Sequence, residues 1–460
     1  MKRVFSATLR LLFALACLSA VVGLWACGAK PLPRYHKPDR DRETRRPLYP
    51  LISNSMPRKT PAPKAELVPQ ASVPPSHSSS GWRVSRARTA ASADRQTLSP
   101  PVSSELVFQT NARGEREAVY RLKKGEALYS AVVVRFTGRV DADEVNRIAQ
   151  RLLEYNGISD ATRIADGTAI RIPVRFLDDS ILRGNFSPAP VPRPARPSRS
   201  GLHVILDAGH GGNDPGTTVR GWVEDEIAYD LMLRIKRGLQ ARGVKVYSTV
   251  RDRETGDALS SGALVNNREE YVKVTPEYRM DDSRVAVNLR IYLIEDLYQW
   301  LLRRGVDPEN ILLLSIHLDH LHPSVGGTMV YFPGADERVS EFRATGGIYR
   351  HFRESRIGTI RFRGRENENA EAASYAFARD LVSEFRQAGV PVHDYLPIRR
   401  YVYRHDQKWA PGIIRYSHVP ISILLEAANL SNRNDFARIR SAHFRQRLAE
   451  AVVRAIMAQE

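Results

Sequence analysis

The sequence predicts an α/β fold: a larger domain with a mostly parallel sheet flanked by helices, preceded by a small βααβ unit. Three observations carry this. Beyond residue 200, apolar runs of strand length alternate with amphipathic helices, the order that builds a parallel layered sheet. Between Tyr120 and Pro173 the pattern is strand, helix, helix, strand. The 28 prolines in 460 residues crowd the first two hundred, which sets unfolded linker apart from folded material.

In the larger domain, Leu202 to Leu206, Val244 to Thr249, Ile311 to Ile316, Thr328 to Phe332 and Ile421 to Leu425 read as strands. The helices run over Ile227 to Ala241, Val285 to Arg303, Ala370 to Ala388 and Ala437 to Ala458. In the smaller unit, Tyr120 to Tyr129 gives a strand, a glycine turn and a helix start. Val145, Ile148 and Leu152 mark the second helix, with Asn156-Gly157 as its stop. Ile164 to Pro173 reads as a turn and a strand ended by proline.

Lys2, Arg3 and Arg10 precede an uncharged run from Leu11 to Gly28, the order of an export signal over residues 1–27. Leu24-Trp25-Ala26-Cys27-Gly28 resembles a bacterial lipobox, which implies a lipid-modified Cys27 and membrane attachment. An uncleaved anchor and ordinary cleavage are the alternatives, and all three place the body of the protein outside the cytoplasm. Residues 28–101, rich in Pro, Ser, Arg and Lys, bury too little apolar surface to offset chain entropy and read as a basic tether. Pro188 to Ser200 is a stiff, basic linker. The division is then 102–180 for the small domain, 181–200 for the linker and 201–460 for the catalytic domain.

Both cysteines, Cys17 and Cys27, lie in the export segment, so a metal site in the body must use His, Asp or Glu. The net charge of +18 attracts polyanions. Outside the cytoplasm these are wall carboxylates, anionic lipids or lipopolysaccharide phosphates rather than nucleic acid.

His210, His317 and Glu426 each end or closely follow a predicted strand, where sites form in open α/β sheets. His210 sits in the glycine-rich run Asp207-Ala-Gly-His-Gly-Gly-Asn-Asp-Pro-Gly216, where absent side chains allow close approach. Glu426 is a charge at the end of a buried strand, costly unless paired or placed on a metal. At Glu224-Asp-Glu226 an acidic helix start either complements the helix dipole or binds metal. Two histidines and a carboxylate make a tetrahedral Zn²⁺ site with one position open to water, and a further carboxylate serves as general base and acid.

Asp207-Ala-Gly-His-Gly-Gly, Glu224 with Ile227, Tyr229 and Leu231 behind it, Ser315-Ile-His317 and Leu424-Leu-Glu426-Ala-Ala-Asn-Leu-Ser-Asn432 resemble, in order, the motifs of the zinc-dependent N-acetylmuramoyl-L-alanine amidases. The resemblance covers roughly residues 201–460. It implies zinc on His210, Glu224 and His317, catalysis by Glu426, and hydrolysis in peptidoglycan of the amide between N-acetylmuramic acid and L-alanine of the stem peptide. Lys123-Lys-Gly-Glu-Ala-Leu, Asn156-Gly-Ile and Asp166-Gly-Thr-Ala-Ile-Arg-Ile-Pro resemble a LysM module, which implies glycan binding. A structural βααβ domain without ligand is the alternative.

The chain departs from the amidase pattern in places. Asp225 stands where a basic residue is usual, which makes Glu226 the alternative ligand, and Leu318-Asp-His320-Leu-His322 brings two further histidines, as supplements to the site or as surface residues. Glu254 to Asp282 and Gly334 to Glu368 read as insertions, forming a rim or lid that guides wall strands or restrains activity, or else solvated loops. Asp207 is either a turn residue or a partner that orients a ligand histidine. The partners implied are peptidoglycan, a membrane through Cys27, and a regulatory protein the sequence does not identify. A silent wall-binding protein and a zinc peptidase are the rival readings.

Overall fold

The computed structural model describes residues 102–182, 201–264 and 266–459. The export signal, lipobox, tether and Pro188–Ser200 linker expected from the sequence lie outside them. Among the described residues no helix is long and apolar enough to cross a membrane.

The small unit holds β1 (Val107–Thr110), β2 (Arg116–Arg121), α1 (Leu128–Val134, a wide π turn), α2 (Ala142–Asn156) and β3 (Ala169–Pro173). The three strands form an antiparallel sheet in the order β1-β2-β3. Asp141 caps α2 by accepting from the backbone N–H of Asp143 and Glu144, and Gly157 at φ 68° ends it as the Asn-Gly pair predicts. β1 has no counterpart in the predicted order because all four of its residues are exposed, so no alternation announces it. It forms because Asn111 Oδ1 accepts from Arg113 N (2.8 Å) and Glu115 N (3.0 Å), a side-chain turn that folds it back on β2.

The catalytic domain is built on β4 (His203–Ala208), α3 (Glu224–Gln240), β5 (Lys245–Ser248), β6 (Val250–Asp252), β7 (Glu270–Val272), β8 (Tyr278–Arg279), α4 (Ser283–Arg303), β9 (Ile311–Asp319), β10 (Met329–Tyr331), α5 (Gly364–Gln387), β11 (Ile398–Arg399), β12 (Ile421–Asn429), α6 (Arg433–Ile439) and α7 (Ala442–Met457). The central sheet runs β11-β10-β12-β9-β4-β5. All its pairings are parallel except that between β10 and β12. β4, the middle of β9 and most of β12 are buried apolar runs, the mark of a sheet covered on both faces.

Two helix boundaries differ from the predicted ones. α5 starts at Gly364, inside the presumed insertion, because its polar first turn (Gly-Arg-Glu-Asn-Glu-Asn) has no apolar period. The terminal helix divides into α6 and α7. Arg445 Nη1, from α7, donates to the carbonyls of Ile439 (2.9 Å) and Arg440 (3.0 Å), taking up carbonyls that a continuous helix would have bonded itself.

The first insertion supplies β7 and β8, which extend β6 into a small antiparallel sheet against the glycine-rich loop, where Asn213 N donates to Met280 O (2.9 Å). The second packs on α4, with Phe342 and Tyr349 against Tyr292. The small unit does not stand apart. Its core, including Tyr120, Phe136, Ile148 and Ile172, is continuous with Leu321, Val325, Met329, Tyr331 and Leu424 of the catalytic domain. Val140 O accepts from His322 N (2.9 Å), and Gly138 O from Arg399 Nη1 (2.9 Å).

Candidate metal centre

Parallel pairing sets Asp207 opposite Ser315 and His317 opposite Glu426. Side chains alternate along a strand, so Ser315 and His317 share a face, as do Leu424 and Glu426. Ser315 pairs with Leu424, which puts Asp207, Ser315, His317 and Glu426 on the same side of the sheet. His317 lies within β9 rather than past it, because pairing with β12 continues, through a bulge, to Asp319 and Asn429.

Glu224 is the first residue of α3. It is buried, and its Oε1 is 3.1 Å from His317 Nδ1, 3.3 Å from His210 Nε2 and accepts from Leu318 N at 3.0 Å. Oε2 accepts from Thr217 N at 2.9 Å. His210, Glu224 and His317 each bring a donor atom within 4.8 Å of the others. Successive helical residues turn about 100°, so Glu226 faces roughly 200° away from Glu224. It lies with Asp252 and Glu270 instead, which removes it as the alternative third member of this cluster.

The loop has no room for side chains. A Cβ on Gly209 would lie 2.3 Å from the His317 ring, and one on Gly216 (φ +63°) would lie 2.6 Å from Glu224 Oε2 and 2.8 Å from the His210 ring. His210 itself adopts φ 60°. Its Nδ1 faces Asp214 Oδ2 at 3.1 Å, while His317 Nε2 and Glu426 Oε2 are buried without a hydrogen-bond partner.

Burial opposes the charge on His210, yet Asp214 and Glu224 push its imidazole up to about 10. Burial also works to raise the Glu224 carboxyl, but His210 and His317 outweigh it and hold it well below the carboxylate range. The opposite holds along the wall beside it. Burial, then the charges of Asp319 and Glu224, push Glu426 well above its ordinary value. Burial and Glu224 push Asp319 up to about 8. Two imidazoles around a carboxylate kept ionised, with His317 Nε2 unpartnered, suit a Zn²⁺-type cation; the donor set is His₂Glu without thiolate.

Asp207 does not orient a ligand histidine. Fully buried, it accepts from Thr249 Oγ1 (2.5 Å) and Ser315 Oγ (2.7 Å) with Arg290 Nη1 at 3.4 Å, and so ties β4, β9 and α4 together beneath the site. His320 is exposed, and His322 stacks on Tyr129 of the small unit at 5.3 Å. His203 stacks on Tyr247, and His393 is buried; burial lowers both, to about 4 and about 3, as fits structural histidines. Asp214 and Asp319 are site residues to which the sequence reading assigned no role. The spacing of Asp214, four residues past His210 in a glycine-rich loop, was the available signal. Nothing in the local sequence marks Asp319.

The family model described as N-acetylmuramoyl-L-alanine amidase matches residues 204–458. Among solved structures, the chain is similar to the N-acetylmuramyl-L-alanine amidase Ami1 from Mycobacterium smegmatis, at 18% identity over 57% of this chain and 98% of that one, with a TM-score of 0.36. It is also similar to the amidase AmiC2 of Nostoc punctiforme (19% identity, 56% and 96% coverage, TM-score 0.32). A third is the catalytic domain of CwlV from Bacillus (Paenibacillus) polymyxa (19%, 56% and 97%, 0.33). No curated protein matches. The family model spans more than half of the chain and contains all four residues of the cluster and its wall, and on that ground the chain belongs to the N-acetylmuramoyl-L-alanine amidase family, whose activity is on peptidoglycan.

Proposed function

We propose that the chain is a zinc-dependent amidase that cleaves between the lactyl group of N-acetylmuramic acid and the L-alanine of the stem peptide, with His210, Glu224 and His317 holding the metal and Glu426 as catalytic carboxylate. The observation that carries this reading is the convergence of the three donors in a glycine-walled loop, with Glu426 in register beside His317. Bound Zn²⁺ supplies Lewis acidity toward the scissile carbonyl and toward water. With a cation's charge offsetting the Asp319 and Glu224 charges that raise it, Glu426 Oε2, buried and unpartnered, would take the proton of the attacking water and deliver it to the departing alanine amine. Asp207, through Ser315 and Thr249, keeps the strands that carry His317 and the glycine loop in place.

The proposal extends to location and targeting. The +18 charge favours a wall rich in carboxylates, a lipidated Cys27 would attach the chain to a membrane of the envelope, and the small unit would hold glycan as LysM modules do. Digestion of purified peptidoglycan by the zinc-loaded protein, read by mass spectrometry, tests the activity. Free stem peptides with an intact N-terminal alanine are expected. Shortened peptides would make it a peptidase, and no products would leave a wall-binding protein.

A further inference from the structure

A second group of acids lies behind the first turn of α3. Glu226, Asp252 in β6 and Glu270 in β7 are all buried, and each presents a carboxylate oxygen within 4.8 Å of the others. Backbone and amide donors position them: Asn267 N donates to Glu226 Oε1 (2.8 Å), Asn267 Nδ2 to Asp252 Oδ2 (2.8 Å) and Gly212 N to Glu270 Oε2 (2.7 Å). No lysine, arginine or histidine is ion-paired with any of the three among the described residues.

A fourth acid immediately precedes Glu226 in the chain. Asp225 is 3% exposed, and while its Oδ1 accepts from Glu226 N (2.8 Å), its Oδ2 is buried with no partner at all. The side-chain charges that act on it most strongly are those of Glu270 and then Glu226. Removing one carboxylate from water costs several kcal/mol, and like charges at the spacing of the three add repulsion, which a bound cation would relieve. A cavity of about 380 Å³ reaches one member of the cluster, Glu226, which lines it together with Glu254 and Thr255.

We propose that Glu226, Asp252 and Glu270, with Asp225 beside them, form a second metal site that takes a hard divalent cation of the calcium or magnesium class. An all-oxygen donor set without imidazole or thiolate selects that class over zinc. The site bridges the small β6-β7-β8 sheet to the start of α3. Through the Gly212–Glu270 hydrogen bond it also holds the loop two residues past His210, so the ion braces the frame of the first centre without touching substrate.

The test uses full-length protein stripped with chelator and reloaded with one equivalent of zinc. Calcium and magnesium are then titrated separately by calorimetry, bound metals are counted by mass spectrometry, and Tm is followed. One additional calcium or magnesium per chain is expected, with Tm rising by several degrees at saturation. Glu270→Gln, whose amide oxygen still accepts from Gly212, should lose the added ion and the Tm rise while keeping its zinc. Glu226→Gln gives the same reading if Glu270→Gln does not fold. Absence of binding and of a Tm response at about 10 mM of either ion, above the range of weak extracellular sites, overturns the proposal. So does a second zinc taken up in place of the hard ion, or undiminished calcium and magnesium binding in both variants.

Discussion

His317 and Glu426 are register partners on neighbouring parallel strands, so a single sheet pairing fixes the distance between the proposed metal ligand and the carboxylate beside it. Neither depends on a loop for its place. The proposed division of labour is therefore separable by substitution. Glu426→Gln should retain one zinc per chain and lose turnover by about 10²–10⁴-fold, the usual worth of a general acid–base. His317→Ala should lose the zinc itself. Metal analysis beside a peptidoglycan digestion assay checks both, and near-normal turnover in Glu426→Gln would remove that residue from the mechanism.

Gly209→Ala tests the wall of the centre. The new Cβ would meet the His317 ring at 2.3 Å, against backbone that cannot retreat, so the imidazole must move. Metal affinity is expected to fall roughly 10- to 100-fold, the range seen when the support of a ligand is disturbed. Competition with a zinc chelator measures it, and an unchanged affinity would show the loop to be more pliant than its packing implies.

Arg445, Arg234 and Asp230 form a buried ionic group that joins α7 to α3. Arg445 Nε donates to Asp230 Oδ2 at 2.6 Å and Arg234 Nε to the same oxygen at 2.8 Å. Arg445→Ala leaves the carboxylate with one cation and removes the donor that separates α6 from α7. A loss of about 3–5 kcal/mol is expected by denaturant unfolding, and a change below 1 kcal/mol would contradict the role given to this pair.

His418 provides a pH dependence away from the metal. Burial lowers its imidazole, but Glu295 at 2.9 Å and the carbonyl of Arg361 at 2.9 Å together raise it above its ordinary value near 6.5. Because the folded value is the higher one, the stabilisation is complete below 6.5 and is lost as pH rises through the folded value. His418→Gln should lower stability by about 1–2 kcal/mol at pH 5.5 and by less at pH 8.5. Tm measured across this range decides it; a deficit that grows with pH would reverse the sign.

The sequence was most informative where one face of an element is buried. The strand runs at Leu202 and Ile311 and the run Ile421 to Leu425 announce the central sheet because their burial is continuous, and His210, His317 and Glu426 follow from them. Glu224 is harder to single out, since three acids in succession look alike until helical geometry turns them apart. β1 is hidden because it buries nothing, and the start of α5 because its first turn is polar. Asp319 was invisible as a site residue, since it gains its place from a bulge in the β9–β12 pairing. The acids at 226, 252 and 270 are brought together by tertiary structure alone.

The core that runs from Phe136 and Ile172 into Leu321 and Leu424 has a mechanical meaning. Two bodies that share an apolar interior cannot swing as they would on a hinge. Under the proposed glycan-holding role, the small unit would keep its polymer at a constant offset from the proposed metal centre, so the pair would act as a gauge, setting where along a bound polymer the cut falls rather than how often the polymer is found.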